Sequence, residues 1–167
     1  MGLKRLYKIF NKFVDILNKV LKWIIIFILA EMTVVVFLQI FFRYVVKSSL
    51  PWSEEFARYS LIWLVMLAAG PGFEYKEHIG LDILVDVLKG TKQKLIKLSS
   101  YIIVGLFDIS IIIWGFKIVD KVKFQVSPAM RISMKWFYLA LPIGGLIILI
   151  EIIKSSIDLF LKEGENI

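Results

Sequence analysis

Two carboxylates inside apolar runs are the residues of this sequence most able to do chemistry. Glu31 lies in the middle of the run 23–42, and Asp108 lies in the middle of the run 98–116. A charge at the centre of a bilayer costs at least about 2.5–3.5 kcal/mol, so it usually faces protein or water. The two acids could relay protons or cations, or they could hydrogen-bond to neighbouring helices or a partner chain. No Lys, Arg or His lies deep in these runs to complete a relay, so we favour the structural role.

The remaining composition excludes most catalytic and cofactor chemistry. The chain has no cysteine, which excludes disulfides, thiolate metal sites and iron–sulfur clusters. Its one histidine, His78, excludes a bis-histidine haem within one chain and argues against a zinc site. Neither a Ser-His-Asp arrangement nor a nucleotide-binding motif is present. We therefore predict no enzymatic activity, no cofactor or metal, and no substrate-binding residue.

The apolar residues are gathered into blocks of membrane length. Hydrophobic residues make up 59% of the 167 residues, against roughly 45–50% in an ordinary soluble domain. A helix needs about 20 mainly apolar residues to cross a hydrocarbon core of about 30 Å. Four runs meet this need, at residues 23–42, 56–73, 98–116 and 136–153. The pattern predicts an all-α membrane protein, with four transmembrane helices in one domain covering residues 1–167.

Two further segments are amphipathic and predict interfacial helices. In residues 3–21 apolar side chains recur every three or four positions with lysines on the other side, and residues 79–88 repeat the pattern. We expect the first segment to lie on the membrane surface before the chain turns into the first span. Membrane lipids or a partner subunit could cover these helices. The net charge of +7 suits lipid headgroups better than nucleic acid, since the basic residues flank apolar runs. More of them lie on the side of the termini, which predicts that both termini are cytoplasmic.

The start of the second run is a well-formed helix entry. Pro51 suits the first helical position, and Glu54 and Glu55 complement the positive end of the helix dipole. Either acid could pair with Arg58, which lies four and three residues further on. Trp52 suits the aromatic belt at a membrane surface. These residues predict an anchored helix start.

Several short motifs between residues 41 and 86 form a combination that is specific as a set. They are Phe42-Arg43-Tyr44, then Leu50-Pro51-Trp52-Ser53-Glu54-Glu55-Phe56-Ala57-Arg58, then Trp63, then His78-Ile79 with Asp82. This order resembles the small membrane subunit of tripartite ATP-independent periplasmic (TRAP) transporters, the DctQ or SiaQ type. In the second half of the chain the likeness rests on hydropathy.

The resemblance implies a function and partners that the residues themselves do not show. Small subunits of this family brace a large subunit, of the DctM or SiaM type, that takes up an organic acid together with sodium across the bacterial inner membrane. A periplasmic binding protein delivers the substrate, for which the resemblance favours a sialic acid, followed by C4-dicarboxylates and keto acids. It also implies that seven residues shape the small subunit or contact the large one: Arg43, Trp52, Glu54, Glu55, Arg58, His78 and Asp82.

Two other classes of membrane protein share part of this pattern. A small proton-coupled multidrug exporter also has four helices and an acid in the first, which Glu31 could supply, but its loops are shorter. A membrane anchor of a respiratory enzyme would usually have more histidines for haem. We therefore favour the transporter subunit.

Overall fold

The residues that the structure describes are mainly helical. The computed structural model describes residues 2–74 and 91–161. Its helices are α1 (Gly2–Phe41), α2 (Pro51–Glu74), α3 (Thr91–Val122), the single-turn α4 (Lys135–Tyr138) and α5 (Ala140–Leu161), with a π-helical turn at Phe42–Val46. Within these ranges, Val126 and Ser133 also form one isolated antiparallel β-bridge. The all-helical prediction is confirmed, while the predicted amphipathic segment 79–88 lies outside the described residues.

Helix α1 is longer than predicted, because the expected turn into the membrane is absent. It runs unbroken for 40 residues, or about 60 Å at about 1.5 Å per residue. The amphipathic segment and the first span therefore form one helix. No Gly or Pro interrupts the sequence between residues 3 and 50, so the backbone has no residue that favours a break there. The left-handed Lys47, with φ of 56°, follows the π-helical turn.

Three of the described helical segments are long and apolar enough to cross a membrane. They cover Arg5–Val46, Leu95–Val122 and Lys135–Leu159, which correspond to three of the four predicted spans. Helix α2 is not among them. Its length of 24 residues would suffice to cross a hydrocarbon core. The span predicted at 56–73 stays a prediction.

The four long helices form an open row rather than a closed bundle. The order in space is α1, α2, α5, α3, because α1 packs on α2, α2 on α5, and α5 on α3. Within the described ranges, α3 contacts neither α1 nor α2. A row one helix thick has a small interior, whose buried apolar cluster consists of Leu21, Leu67 and Ile147. Two broad apolar faces are left for lipid or other protein.

Adjacent glycines let α5 approach the helix on each side. A Cβ atom built on Gly144 would lie 2.7 Å from the Cβ atom of Met66 in α2. One built on Gly145 would lie 2.6 Å from Cγ1 of Ile112 in α3. Successive residues point in different directions around a helix, so the two glycines serve different neighbours. Small residues at such contacts allow close packing where lipid provides no hydrophobic drive for association.

Candidate partner-binding groove and supporting contacts

Glu31 lies on the wall of an open groove between α1, α2 and the start of α4. Its side chain is partly buried, and Ser60 Oγ of α2 donates a hydrogen bond of 3.0 Å to Glu31 Oε1. The groove has a volume of about 380 Å³ and is mainly aromatic and aliphatic, lined by Ile28, Glu31, Phe56, Tyr59, Ser60, Trp63, Met130, Ile132, Trp136 and Phe137. A carboxylate thus faces a cleft that could receive side chains of another membrane protein.

Asp108 has a different environment and lies away from Glu31. Its side chain is buried, with 2% exposed, and Oδ1 lies 3.2 Å from where a Cβ atom on Gly145 would be. Within the described part of the chain, neither carboxylate oxygen of Asp108 has a hydrogen-bond partner. Because α1 and α3 do not touch there, the structure does not bring the two acids together into a relay.

The entry to α2 forms one of the two ion pairs that the spacing allowed. Arg58 Nη2 lies 2.8 Å from Glu54 Oε1, and both side chains are well exposed, at 63% and 69%. An exposed pair at this spacing contributes about 0.3–0.5 kcal/mol. Ser53 Oγ donates a hydrogen bond of 2.7 Å to the carbonyl of Leu50. The Glu54–Arg58 pair therefore contributes little to the stability of the chain itself.

Glu55 instead holds the loop that precedes α4. Its Oε2 accepts hydrogen bonds of 3.1 Å from the backbone N–H groups of both Ala129 and Met130. Next to it, Tyr59 stacks on Phe137 with 3.6 Å between ring centroids and donates from its hydroxyl to Met134 Sδ at 3.2 Å. These contacts fix one wall of the groove. No local sequence signal could have identified backbone partners some 75 residues away.

The remaining predicted site residues fall into two groups. Arg43 lies on the π-helical turn, beside a polar pocket of about 200 Å³ shared with Gln39, Ser49, Leu50, Pro51 and Glu54. Trp52 is 40% exposed and packs edge-on against Phe56, as expected for an aromatic at a membrane surface. His78 and Asp82 lie outside the described residues. The predicted role of these two residues at a subunit interface stays a prediction. The same holds for the other residues that the resemblance singled out.

A buried polar cluster nearer the N-terminal end of α1 was not predicted from the sequence. Asn18 of α1 donates a hydrogen bond of 2.7 Å to Oε1 of Glu151 in α5, and Glu151 is fully buried. Lys154 lies 3.1 Å from Asp15, and Tyr7 donates to Asp158. The sequence contained one signal that could have predicted the burial of Asn18. Asn18 lies on the same helix face as the apolar Val14 and Leu21, which are four and three residues away.

We predict that removal of the Asn18 side chain destabilises the protein. The Asn18→Ala variant should lose about 1–3 kcal/mol, because it leaves the buried Glu151 carboxylate without this donor. Lys19→Ala, at an exposed neighbouring position, is the control and should change stability by less than about 0.5 kcal/mol. Thermal unfolding in detergent measures both. Equal stabilities of the two variants would show that the hydrogen bond from Asn18 to Glu151 does not stabilise the protein.

The described residues contain no cluster suited to a metal ion. No group of three or more His, Cys, Asp or Glu side chains comes together in ranges 2–74 and 91–161. What the structure does offer is a groove with one carboxylate, held open by the contacts of Glu55 and Tyr59. Such a site can bind side chains of another membrane protein, and its geometry provides no catalytic arrangement.

The sequence is similar to one family of transporter components. The family described as "Tripartite ATP-independent periplasmic transporters, DctQ component" matches residues 32–162. A Haemophilus influenzae protein assigned to the TRAP transporter small permeases is 30% identical over 158 residues, covering 89% of this chain and 94% of the relative.

Two more distant relatives carry the names of different substrates. The sialic acid TRAP transporter permease protein SiaT of Haemophilus influenzae is 24% identical, over 84% of this chain but 23% of that longer protein. The C4-dicarboxylate TRAP transporter small permease protein DctQ of Vibrio cholerae is 24% identical, over 64% of this chain and 47% of the relative.

The family match covers most of the chain, and the helical fold and the motif order agree with it. A component of a transporter, rather than an enzyme, is therefore the established class. The chain belongs to the DctQ family and is the small membrane subunit of a TRAP transporter, whose partners are a large membrane subunit and a periplasmic substrate-binding protein.

Proposed function

We propose that this chain braces the large subunit and carries no transport site of its own. The separation of its two intramembrane acids is the observation that supports this most. Asp108 is enclosed between α3 and α5, whereas Glu31 lies beside the groove with its hydrogen bond to Ser60. Acids on helices that do not touch cannot exchange a proton directly. An open row of helices offers a broad face to a partner, as a brace requires.

The transporter, in this proposal, takes up an organic acid together with sodium. A sialic acid is the favoured substrate, because the sialic acid permease matches a larger share of this chain than the C4-dicarboxylate relative does, 84% against 64%. C4-dicarboxylates come next, followed by keto acids. In SiaT, the part similar to this chain belongs to a longer permease, which supports a close association between the small subunit and the transport machinery.

The family is a bacterial inner-membrane family, and we propose an arrangement of this chain within that membrane. All four long helices cross it, α2 included, and together they form a single domain. Both termini lie on the cytoplasmic side, with the Asn18–Glu151 cluster near that side. The entry to α2 and its partner loop then lie near the periplasmic side. Membrane lipids cover the faces that the large subunit leaves open.

The exporter alternative is not retained. It required Glu31 to act as a proton carrier in a stand-alone protein. The family that the chain belongs to is a component of a three-part transporter, not a stand-alone protein.

We predict that the large subunit accompanies this chain through purification. The tagged chain, extracted from its native membrane in a gentle detergent, should bring along a large multi-span protein in roughly equal amount, identified by mass spectrometry. Recovery of this chain alone, or as a pair of identical chains, would contradict the bracing role. Purification from a strain that lacks the large-subunit gene is the matched control.

The same complex, reconstituted in vesicles with its binding protein, tests the proposed substrate. Labelled sialic acid should accumulate when a sodium gradient points inward, and the accumulation should disappear when potassium replaces sodium. Uptake of a C4-dicarboxylate or a keto acid instead would reassign the substrate and leave the bracing role intact. Omission of this chain should abolish uptake.

A further inference from the structure

The groove beside Glu31 has properties that lipid alone does not match. Aromatic and aliphatic side chains, among them Ile28, Trp63 and Trp136, form its walls, and its volume is about 380 Å³. A helix with its side chains is about 10–12 Å across, so a cleft of this volume suits side chains better than a whole helix. Side chains projecting from a helix that lies along α1 and α2 could fill it.

The carboxylate on the groove wall has capacity for further hydrogen bonds. Glu31 belongs to an apolar helical segment, Arg5–Val46, that is long enough to cross the membrane. An ionised carboxylate can accept at about four lone-pair sites, and Ser60 supplies one donor. Within the described ranges, no cationic side chain forms an ion pair with Glu31. Acyl chains have no hydrogen-bond donor, so lipid in the groove would leave an acid in hydrocarbon at considerable cost.

Helix α1 lies at one edge of the row and leaves most of its surface uncovered. In its most apolar stretch, 6% of the residues are buried inside the protein, against 11% for α3 at the other edge and 39% for the stretch that includes α5. Its contacts are made to α2 along one side and to α5 near one end. Both edges of the row therefore have surface left to cover, and the edge at α1 is the one beside the groove.

We propose that this groove, between α1, α2 and the start of α4, is where a membrane-spanning helix of the large subunit docks. Bulky apolar side chains of that helix occupy the aromatic cleft, and one hydroxyl, amide or cationic side chain donates a hydrogen bond to Glu31. The choice of occupant follows from complementarity, since a protein helix can supply the donor that an acyl chain lacks. This inference rests on the bracing function proposed above and assigns it a surface.

Photo-crosslinking in the intact complex tests the surface directly. Benzoylphenylalanine replaces Trp136, which lines the groove and is 56% exposed, or Trp114 of α3, which is 60% exposed at the far edge of the row. The probe at position 136 should crosslink to the large subunit, and the probe at 114 should give at least about tenfold less of that product. Should the position-136 variant fail to accumulate, the probe is placed at Ile132, also a groove residue, which is 40% exposed.

Three results would overturn the proposed surface. They are crosslinks from the groove to lipid alone, crosslinks to a second copy of this chain, and equal yields of the large-subunit product at positions 136 and 114. In each of these the large subunit still purifies with the wild-type chain, so the bracing function stands. Absence of the large subunit from the wild-type preparation would instead refute that function.

Substitutions at Glu31 and Ser60 test the hydrogen bond separately. Glu31→Leu should lower recovery of the large subunit about threefold or more, a change typical of one polar contact between membrane helices. Ser60→Ala removes the same bond within the chain but keeps the carboxylate, so recovery should stay near the wild-type value. Equal losses in the two variants would show that Glu31 acts only within its own chain, and would overturn the proposal.

Discussion

The Gly144→Ala variant is expected to lose about 1–3 kcal/mol of stability, as overpacked interiors do. A Cβ atom at this position would lie 2.7 Å from the Cβ atom of Met66 and 2.8 Å from its backbone carbonyl oxygen. A flexible side chain could move aside, but a carbonyl oxygen moves only with its helix. Helices α2 and α5 would therefore have to separate along the contact at the centre of the row.

Gly105→Ala provides the matched control for this prediction. A Cβ atom on Gly105, in α3, meets its nearest neighbour, Cγ2 of Ile152, at 4.0 Å, which is ordinary van der Waals contact. Alanine is the better helix former by about 1 kcal/mol, so this variant should be as stable as the wild type or more so. Thermal unfolding in detergent, followed by circular dichroism, compares the two. Similar melting temperatures for both variants would mean that close packing at Gly144 does not hold the row together.

The Glu55→Ala variant is expected to release the loop before α4. Glu55 accepts two backbone hydrogen bonds there, from Ala129 and Met130, and a hydrogen bond to a charged group contributes about 1.5–3 kcal/mol. Loss of about 1.4 kcal/mol raises the population of the open loop about tenfold, and proteolysis of an open form follows its population. Cleavage by trypsin after the exposed Arg131 should therefore accelerate about tenfold or more.

The neighbouring acid is the natural control for this measurement. Glu54 forms an exposed pair with Arg58 and makes no hydrogen bond to the loop in the described residues, so Glu54→Ala should leave cleavage after Arg131 within about twofold of wild type. Cleavage after Lys47, also exposed, serves as an internal reference within each sample. Equal acceleration by Glu54→Ala and Glu55→Ala would argue that general loss of negative charge, not the two hydrogen bonds, controls the loop.

The candidate site was predictable in its residues but not in their partners. Spacing indicated that Glu54 or Glu55 could pair with Arg58, and the structure assigns that pair to Glu54. Glu55 turns to a loop distant in sequence, which no local pattern encodes. Glu31 was recognised as an intramembrane acid, yet its contact with Ser60 depends on how α1 and α2 pack. For His78 and Asp82 the sequence remains the basis of the prediction.

Local features of the sequence were sufficient to predict the class of protein and the character of each segment. Apolar runs, helix-start residues and the absence of Gly and Pro from residue 3 to residue 50 are local features, and helix formation depends mainly on local interactions. These local features do not predict that the helices stand in the order α1, α2, α5, α3. Helix order depends on contacts such as Gly144 with Met66 and Asn18 with Glu151. These contacts join residues far apart in the chain, so periodicity along the sequence does not reveal them.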